Sequence, residues 1–129
     1  MLDLNQRHGA NSPWGTSYLA PPQLAAFYRW LIYLPANIYP TISIVEFPER
    51  YIAVPAEAAV TKEIAAKWVS AGTMERREDA WMILEKNFGV KNYDGRFFLG
   101  TERPTVLDVY ISMMAHWPPN PRYFTSLQG

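Results

Sequence analysis

The sequence predicts an all-α helical bundle. Apolar residues recur at helical spacing over long stretches, and Thr105 and Asp108 stand at the spacing of a helix-opening capping box. No alternating pattern is long enough to insist on a sheet. At 129 residues one domain is expected, and 49% hydrophobic residues suffice for a packed core.

The elements follow in chain order. Residues 1–8 read as one or two helical turns, and residues 11–18, with Pro13 and Gly15, as a loop. Pro21 and Pro22 open the longest helix, a natural place for proline because the first N–H groups have no intrahelical partner. Leu24, Phe27, Leu31, Leu34, Ile38, Ile42 and Val45 form a helical stripe, and Trp30, Tyr33, Asn37 and Ile44 a second one beside it. So wide an apolar face predicts a central helix touching several neighbours. Pro35 and Pro40 lie inside it. Each removes a donor and crowds the carbonyl four residues back, on Leu31 and Ala36, so a kink is expected there. The kink is either a bend that widens a cleft or a packing accommodation.

Residues 47–55 read as a connection, and residues 57–70 as helical, with Val60, Ile64, Trp68 and Ala71 on one face. Gly72 weakens a helix by about 1 kcal/mol relative to Ala and marks a place for a bend. Residues 73–88 continue with Trp81, Leu84 and Phe88 inward. Glu75, Arg76, Arg77, Glu78 and Asp79 read as a solvated charged face. Gly89 suits a C-cap, residues 92–95 a turn, and residues 96–99 a crossing to the last helix. There the Thr105 hydroxyl is expected to accept from the Asp108 N–H, and the Asp108 carboxylate to reach back to the Thr105 N–H. Pro104 and Val109 are placed for a hydrophobic staple. Val106, Tyr110, Met113 and Trp117 make an apolar stripe, and Pro118 and Pro119 end the helix.

Charge and motifs exclude several classes. Lys+Arg and Asp+Glu are both 12, so no basic field exists to attract nucleic acid. The absence of cysteine removes disulfides, thiolate metal sites and a Cys nucleophile together. No run reaches the roughly 18 apolar residues of a membrane span, and no secretory signal is visible. A cytoplasmic location is compatible with these features. His8 and His116 have no partner at metal-ligand spacing, so no metal site is expected. No nucleophile elbow, phosphate-binding loop or dinucleotide fingerprint occurs. Asp108 reads as a structural cap rather than a catalyst.

The run from Phe97 to Tyr110, an aromatic loop followed by the Thr105–Asp108 box and an aromatic helix, resembles the sixth helix of the glutathione transferase fold. The run from Phe27 to Thr41, with Arg29-Trp30-Leu31 and then Asn37-Ile38-Tyr39-Pro40, resembles the fourth helix of bacterial glutathione transferase-like proteins. Order and spacing agree, and the match covers roughly residues 20–124. The resemblance implies the C-terminal all-helical domain of that family, truncated at both ends. Residues 1–20 would be a remnant of the preceding helix plus linker, and residues 21–129 the helical domain. A thioredoxin-like N-terminal domain, which in the family holds glutathione, is missing from this reading. Some bacterial members place a His-Lys pair on the fourth helix near glutathione; Tyr39 and Pro40 stand at those positions here.

The resemblance implies that Trp30, Tyr33, Asn37, Tyr110 and Trp117 line a hydrophobic substrate cleft, with Thr105 and Asp108 as the structural cap. No catalytic residue is assigned. No cofactor is expected in this chain, and glutathione only if a thioredoxin-like domain is supplied. Three functions compete: half of a glutathione transferase-like protein, inactive alone; a non-enzymatic protein-interaction module; and a binder of a small hydrophobic molecule. A homodimer is expected, using residues 21–45 and 57–88, with exposed apolar surface on the first turns of the long helix and around Trp14, Tyr18 and Leu19. A separate thioredoxin-like domain is a second candidate partner. Neither nucleic acid nor membrane is expected as one.

Overall fold

The computed structural model describes residues 15–88 and 97–117, and among them every regular element is a helix. Helix α1 is Pro21–Tyr33, followed by a π turn at Leu34–Ile38 and helix α2 at Tyr39–Glu46. A 3₁₀ turn, Pro48–Tyr51, leads through an extended connection to α3, Lys62–Phe88; α4 is Val106–His116. The described residues form two compact units. One holds residues 15–34, 88 and 97–117, and the other holds Pro35–Asn87.

In the first unit α1 packs against α4. Ala20 has no side-chain oxygen to cap α1, so Gln23 closes its start: its Oε1 accepts from the Ala20 N–H at 3.0 Å. The other end of the same amide donates to the Leu99 carbonyl at 3.2 Å, tying α1 to the loop before α4. That loop turns on Gly100, whose N–H donates to the Phe97 carbonyl at 2.7 Å and whose φ is +73°. Only glycine adopts such a φ without a steric penalty.

Helix α4 opens on the box. The Asp108 Oδ2 accepts from the Thr105 N–H at 2.7 Å and from the Thr105 hydroxyl at 3.0 Å. Within this capping box the hydroxyl takes up the Leu107 N–H at 3.2 Å, and the Asp108 N–H meets the Thr105 carbonyl at 3.1 Å. The buried face of α4 differs from the expected stripe by one position. Leu107, Ile111, Met114 and Ala115 are buried, Val106 and Tyr110 are half-buried, and Met113 and Trp117 are exposed. The helix is apolar on almost every side, so periodicity alone has no unique face to select. Val109, placed for a staple with Pro104, is exposed. Leu19 is buried and Tyr18 half-buried, so neither forms the open apolar surface expected around them.

The second unit begins inside the π turn. Pro35 sits within that turn and Pro40 just after it, and a π turn is one way a helix absorbs missing donors and crowded carbonyls. The Thr41 hydroxyl donates to the Ile38 carbonyl at 2.6 Å, which supports the chain as α geometry resumes. Ser43 and Tyr51 share a hydroxyl hydrogen bond of 2.7 Å, and the Arg50 guanidinium lies 4.2 Å from the Phe47 ring centroid. The Ser70 hydroxyl donates to the Val45 carbonyl at 3.2 Å, joining α3 to the end of α2.

Helix α3 begins at Lys62 rather than 57, because the Thr61 hydroxyl caps it, accepting from the Ile64 N–H at 3.2 Å. It runs without interruption through Gly72. From Lys62 to Gly72 no residue is buried; the face of Ile64, Trp68 and Ala71 is exposed. Burial starts one residue later, with Thr73, Arg77, Ala80, Trp81 and Leu84. The charged run is therefore not uniformly solvated. Glu75, Arg76 and Asp79 are exposed and Glu78 is half-buried, but Arg77 falls on the inward stripe and keeps only 6% of its surface. The expectations for residues 1–8, 11–14, 89–95 and 118–129 lie outside the described residues, as does the Phe88 side chain.

Candidate functional site

The first unit assembles its aromatic groups through the cap of α4. Asp108 uses one carboxylate oxygen for Thr105 and the other for the Phe98 N–H, at 2.8 Å. That bond fixes Phe98, whose ring meets Trp30 edge-to-face, with centroids 5.6 Å apart and planes at 89°. Trp30 meets Tyr33 in turn at 4.9 Å and 73°. Edge-to-face geometry places the positive rim of one ring against the negative face of the next. The Arg29 guanidinium completes the cluster at 5.0 Å from the Trp30 ring centroid. A structural carboxylate thus sets a loop aromatic, which meets the Trp30–Tyr33 pair on α1.

Each expected site residue has a definite place. Trp30 is 3% exposed and belongs to the core of the first unit. Tyr33 is half-buried at the last position of α1, and Tyr110 is half-buried on α4. Trp117 closes α4 as its C-cap, its N–H donating to the Met113 carbonyl at 3.1 Å, with its side chain 51% exposed. Asn37 is exposed in the π turn and belongs to the second unit. Phe98 is the aromatic that sequence reasoning left out of the set. Its signal was its place in the loop just before the box.

Electrostatics keep the phenols protonated. Burial pushes the Tyr33 phenol above its ordinary value, and the nearby Arg29 charge partly opposes this. Burial also raises Tyr18, helped by the Asp108 carboxylate and opposed by Arg103 and the Thr101 hydrogen bond. The Arg103 guanidinium lies 4.2 Å from the Tyr18 ring centroid. At neutral pH such phenols serve as hydrogen-bond donors, not bases. The His116 Nδ1 lies 2.6 Å from the Ser112 carbonyl at the end of α4. Among the described residues no three His, Cys, Asp or Glu side chains gather to hold a metal. No described helix is long and apolar enough to cross a membrane.

All-helical described residues, a boxed α4 and an aromatic cluster against α1 fit the C-terminal helical domain of glutathione transferases. The chain is similar to the uncharacterised GST-like protein YncG of Escherichia coli strain K12, 28% identical over 110 residues. The match covers 82% of this chain, and the chain spans only 46% of that relative's length. No family model matches the chain, and no solved structure does.

Proposed function

We propose that this chain is the helical half of a glutathione transferase-like protein, supplying the hydrophobic substrate side and a dimer surface, and that it does not catalyse conjugation alone. The similarity to a protein named GST-like carries this reading. Two features support it. The half-buried Tyr33 brings one neutral phenol to the edge of a cluster whose other rings, Trp30 and Phe98, are buried, an apolar backing with one polar group. The described residues contain no strand, whereas the resemblance assigns glutathione to a sheet-containing thioredoxin-like domain. Glutathione ionises poorly at neutral pH unless a site stabilises its thiolate.

The dimer surface in this reading is the exposed side of α3, where Ile64 and Trp68 stand a turn apart, the latter 63% exposed. Light scattering across micromolar concentrations should give twice the chain mass, and a monomeric mass throughout rejects this part. Purified chain given glutathione and a generic aromatic electrophile should show no turnover. Turnover abolished by a substitution in this chain rejects inactivity.

A small-molecule binder is the second reading, favoured by the same aromatic cluster. An aromatic ligand titrated against wild type and Tyr33→Ala separates it from a pure scaffold. Saturable binding weakened by the substitution at unchanged helicity supports the binder, and no saturable binding returns these side chains to the core.

A further inference from the structure

The two halves of α3 are held by different means. From Ile52 through Gly72 no side chain is buried. The most covered groups are only half-buried: Ile52, Val54 and Val60 in the connection, and Ala65, Ala66, Val69 and Ser70, mostly small, in the helix. Beyond the helix's own backbone ladder, one hydrogen bond ties residues 52–72 to the other described residues, from the Ser70 hydroxyl to the Val45 carbonyl. The remaining support is local. It consists of the Thr61 cap and the Glu63–Lys67 pair at 3.8 Å, which is exposed and so contributes little. An isolated helix shorter than about 12–15 residues is marginal in water, and Gly72 weakens this one further. Past Gly72 the balance changes, with Ala80, Trp81 and Leu84 buried. The sequence also holds a second helix start at that point. Glycine is an accepted N-cap, and with Gly72 in that role Glu75 falls in the first turn, where the helix dipole favours a negative charge. A helix of residues 73–88 is therefore well formed without the turns before it.

We infer that residues 52–72 are a conditional arm, which opens as one unit with Gly72 as its hinge while residues 73–88 stay helical. Opening uncovers little apolar surface and releases the backbone torsions of the whole stretch, so its free-energy cost is small. The arm carries Ile64 and Trp68. The inference thus rests in part on the dimer surface proposed above, and it makes that surface conditional. The two side chains are four residues apart and share a face only while the arm is helical. A second copy that covers both therefore shifts the arm toward its closed state.

The test is hydrogen exchange of the whole chain, diluted until light scattering gives the monomer mass, or carrying Trp68→Glu if dilution alone leaves a dimer. Amides of residues 66–70 should exchange at least about a hundredfold faster than those of residues 80–84, at a rate that low urea barely changes. Trypsin should cut after Lys67 at least about tenfold faster than after Arg76, although both side chains are exposed on the same helix. Leu84→Ala, which loosens the packed half, should speed exchange at residues 80–84 and leave residues 66–70 unchanged. Equal protection of the two stretches in the monomer overturns the arm, whatever becomes of Leu84→Ala. A parallel response of both stretches to that substitution overturns it too. Raising the concentration until a dimer forms should slow exchange at residues 66–70 at least about tenfold. A dimer whose arm exchanges as in the monomer overturns the coupling. A chain that stays monomeric at every concentration rejects the dimer surface and the coupling with it, while the exchange pattern of that monomer still decides the arm.

Discussion

Helices α3 and α4 both open on a threonine, and the two openings carry different weight. Thr61 is exposed and contributes one hydroxyl bond, to the Ile64 N–H. Thr105 is fully buried and joins a network in which one carboxylate serves its N–H, its hydroxyl and the distant Phe98 N–H. The same residue type is a local convenience in one place and a junction in the other. A cap's weight is set by how many buried groups lose their only partner when it is removed, not by its presence in the sequence.

The largest effect should come from breaking the junction. Asp108→Ala leaves the Thr105 and Phe98 N–H groups without their acceptor. A loss of about 3 kcal/mol in urea unfolding is expected, above an ordinary cap because several buried donors are orphaned. A loss of 1 kcal/mol or less would erase the contrast between the two helices. Thr61→Ala should cost about 1 kcal/mol or less, confined to α3. Combined with Asp108→Ala, its effect should add without coupling, since the two share no partner.

The exposed half of α3 offers a test in the opposite direction. Where nothing is buried, intrinsic propensity governs the helix. No atom lies within 4 Å of where a Gly72 Cβ would stand. Gly72→Ala should therefore stabilise the chain by up to about 1 kcal/mol, with slower amide exchange in residues 62–72. Unchanged exchange there would mean that contacts, not propensity, hold this half.

The smallest effect concerns the phenols. Burial raises both Tyr18 and Tyr33 above their value in the unfolded chain. The folded state thus holds the phenolic proton more tightly. This contribution is complete below the ordinary tyrosine value near 10, and is lost as pH rises through the raised folded values. Stability should fall between pH 9 and 11, and less steeply in Tyr18→Phe and Tyr33→Phe. An unchanged slope in both variants would assign the fall to other groups.

Much of the fold was legible because its signals were local. Pro21 and Pro22 marked the start of α1, and the spacing of Thr105 and Asp108 marked the start of α4. The two prolines marked a disturbance, but not that a π turn would answer it. The start of α3 was misplaced because Ala56, Ala58 and Ala59 favour helix, while the hydroxyl that starts it lies at Thr61. Arg77 was misplaced for a different reason. A run of charges reads as solvated on average, and nothing local says which member falls on the inward stripe. The site was less legible than the fold. Trp30 and Tyr33 are near neighbours in sequence, but their connection to Phe98 and Asp108 is tertiary.

The loop glycine before α4 carries a stereochemical consequence. Gly100 combines a φ of +73° with empty space where a side chain would begin. An L-alanine there would meet no neighbour and would still be disfavoured, because the objection lies in its own handedness. The mirror-image residue reverses the objection. D-Alanine introduced by chemical synthesis would occupy the same backbone conformation as its preferred one and would restrict the unfolded chain. This position thus separates handedness from crowding, two obstacles that ordinary mutagenesis cannot tell apart.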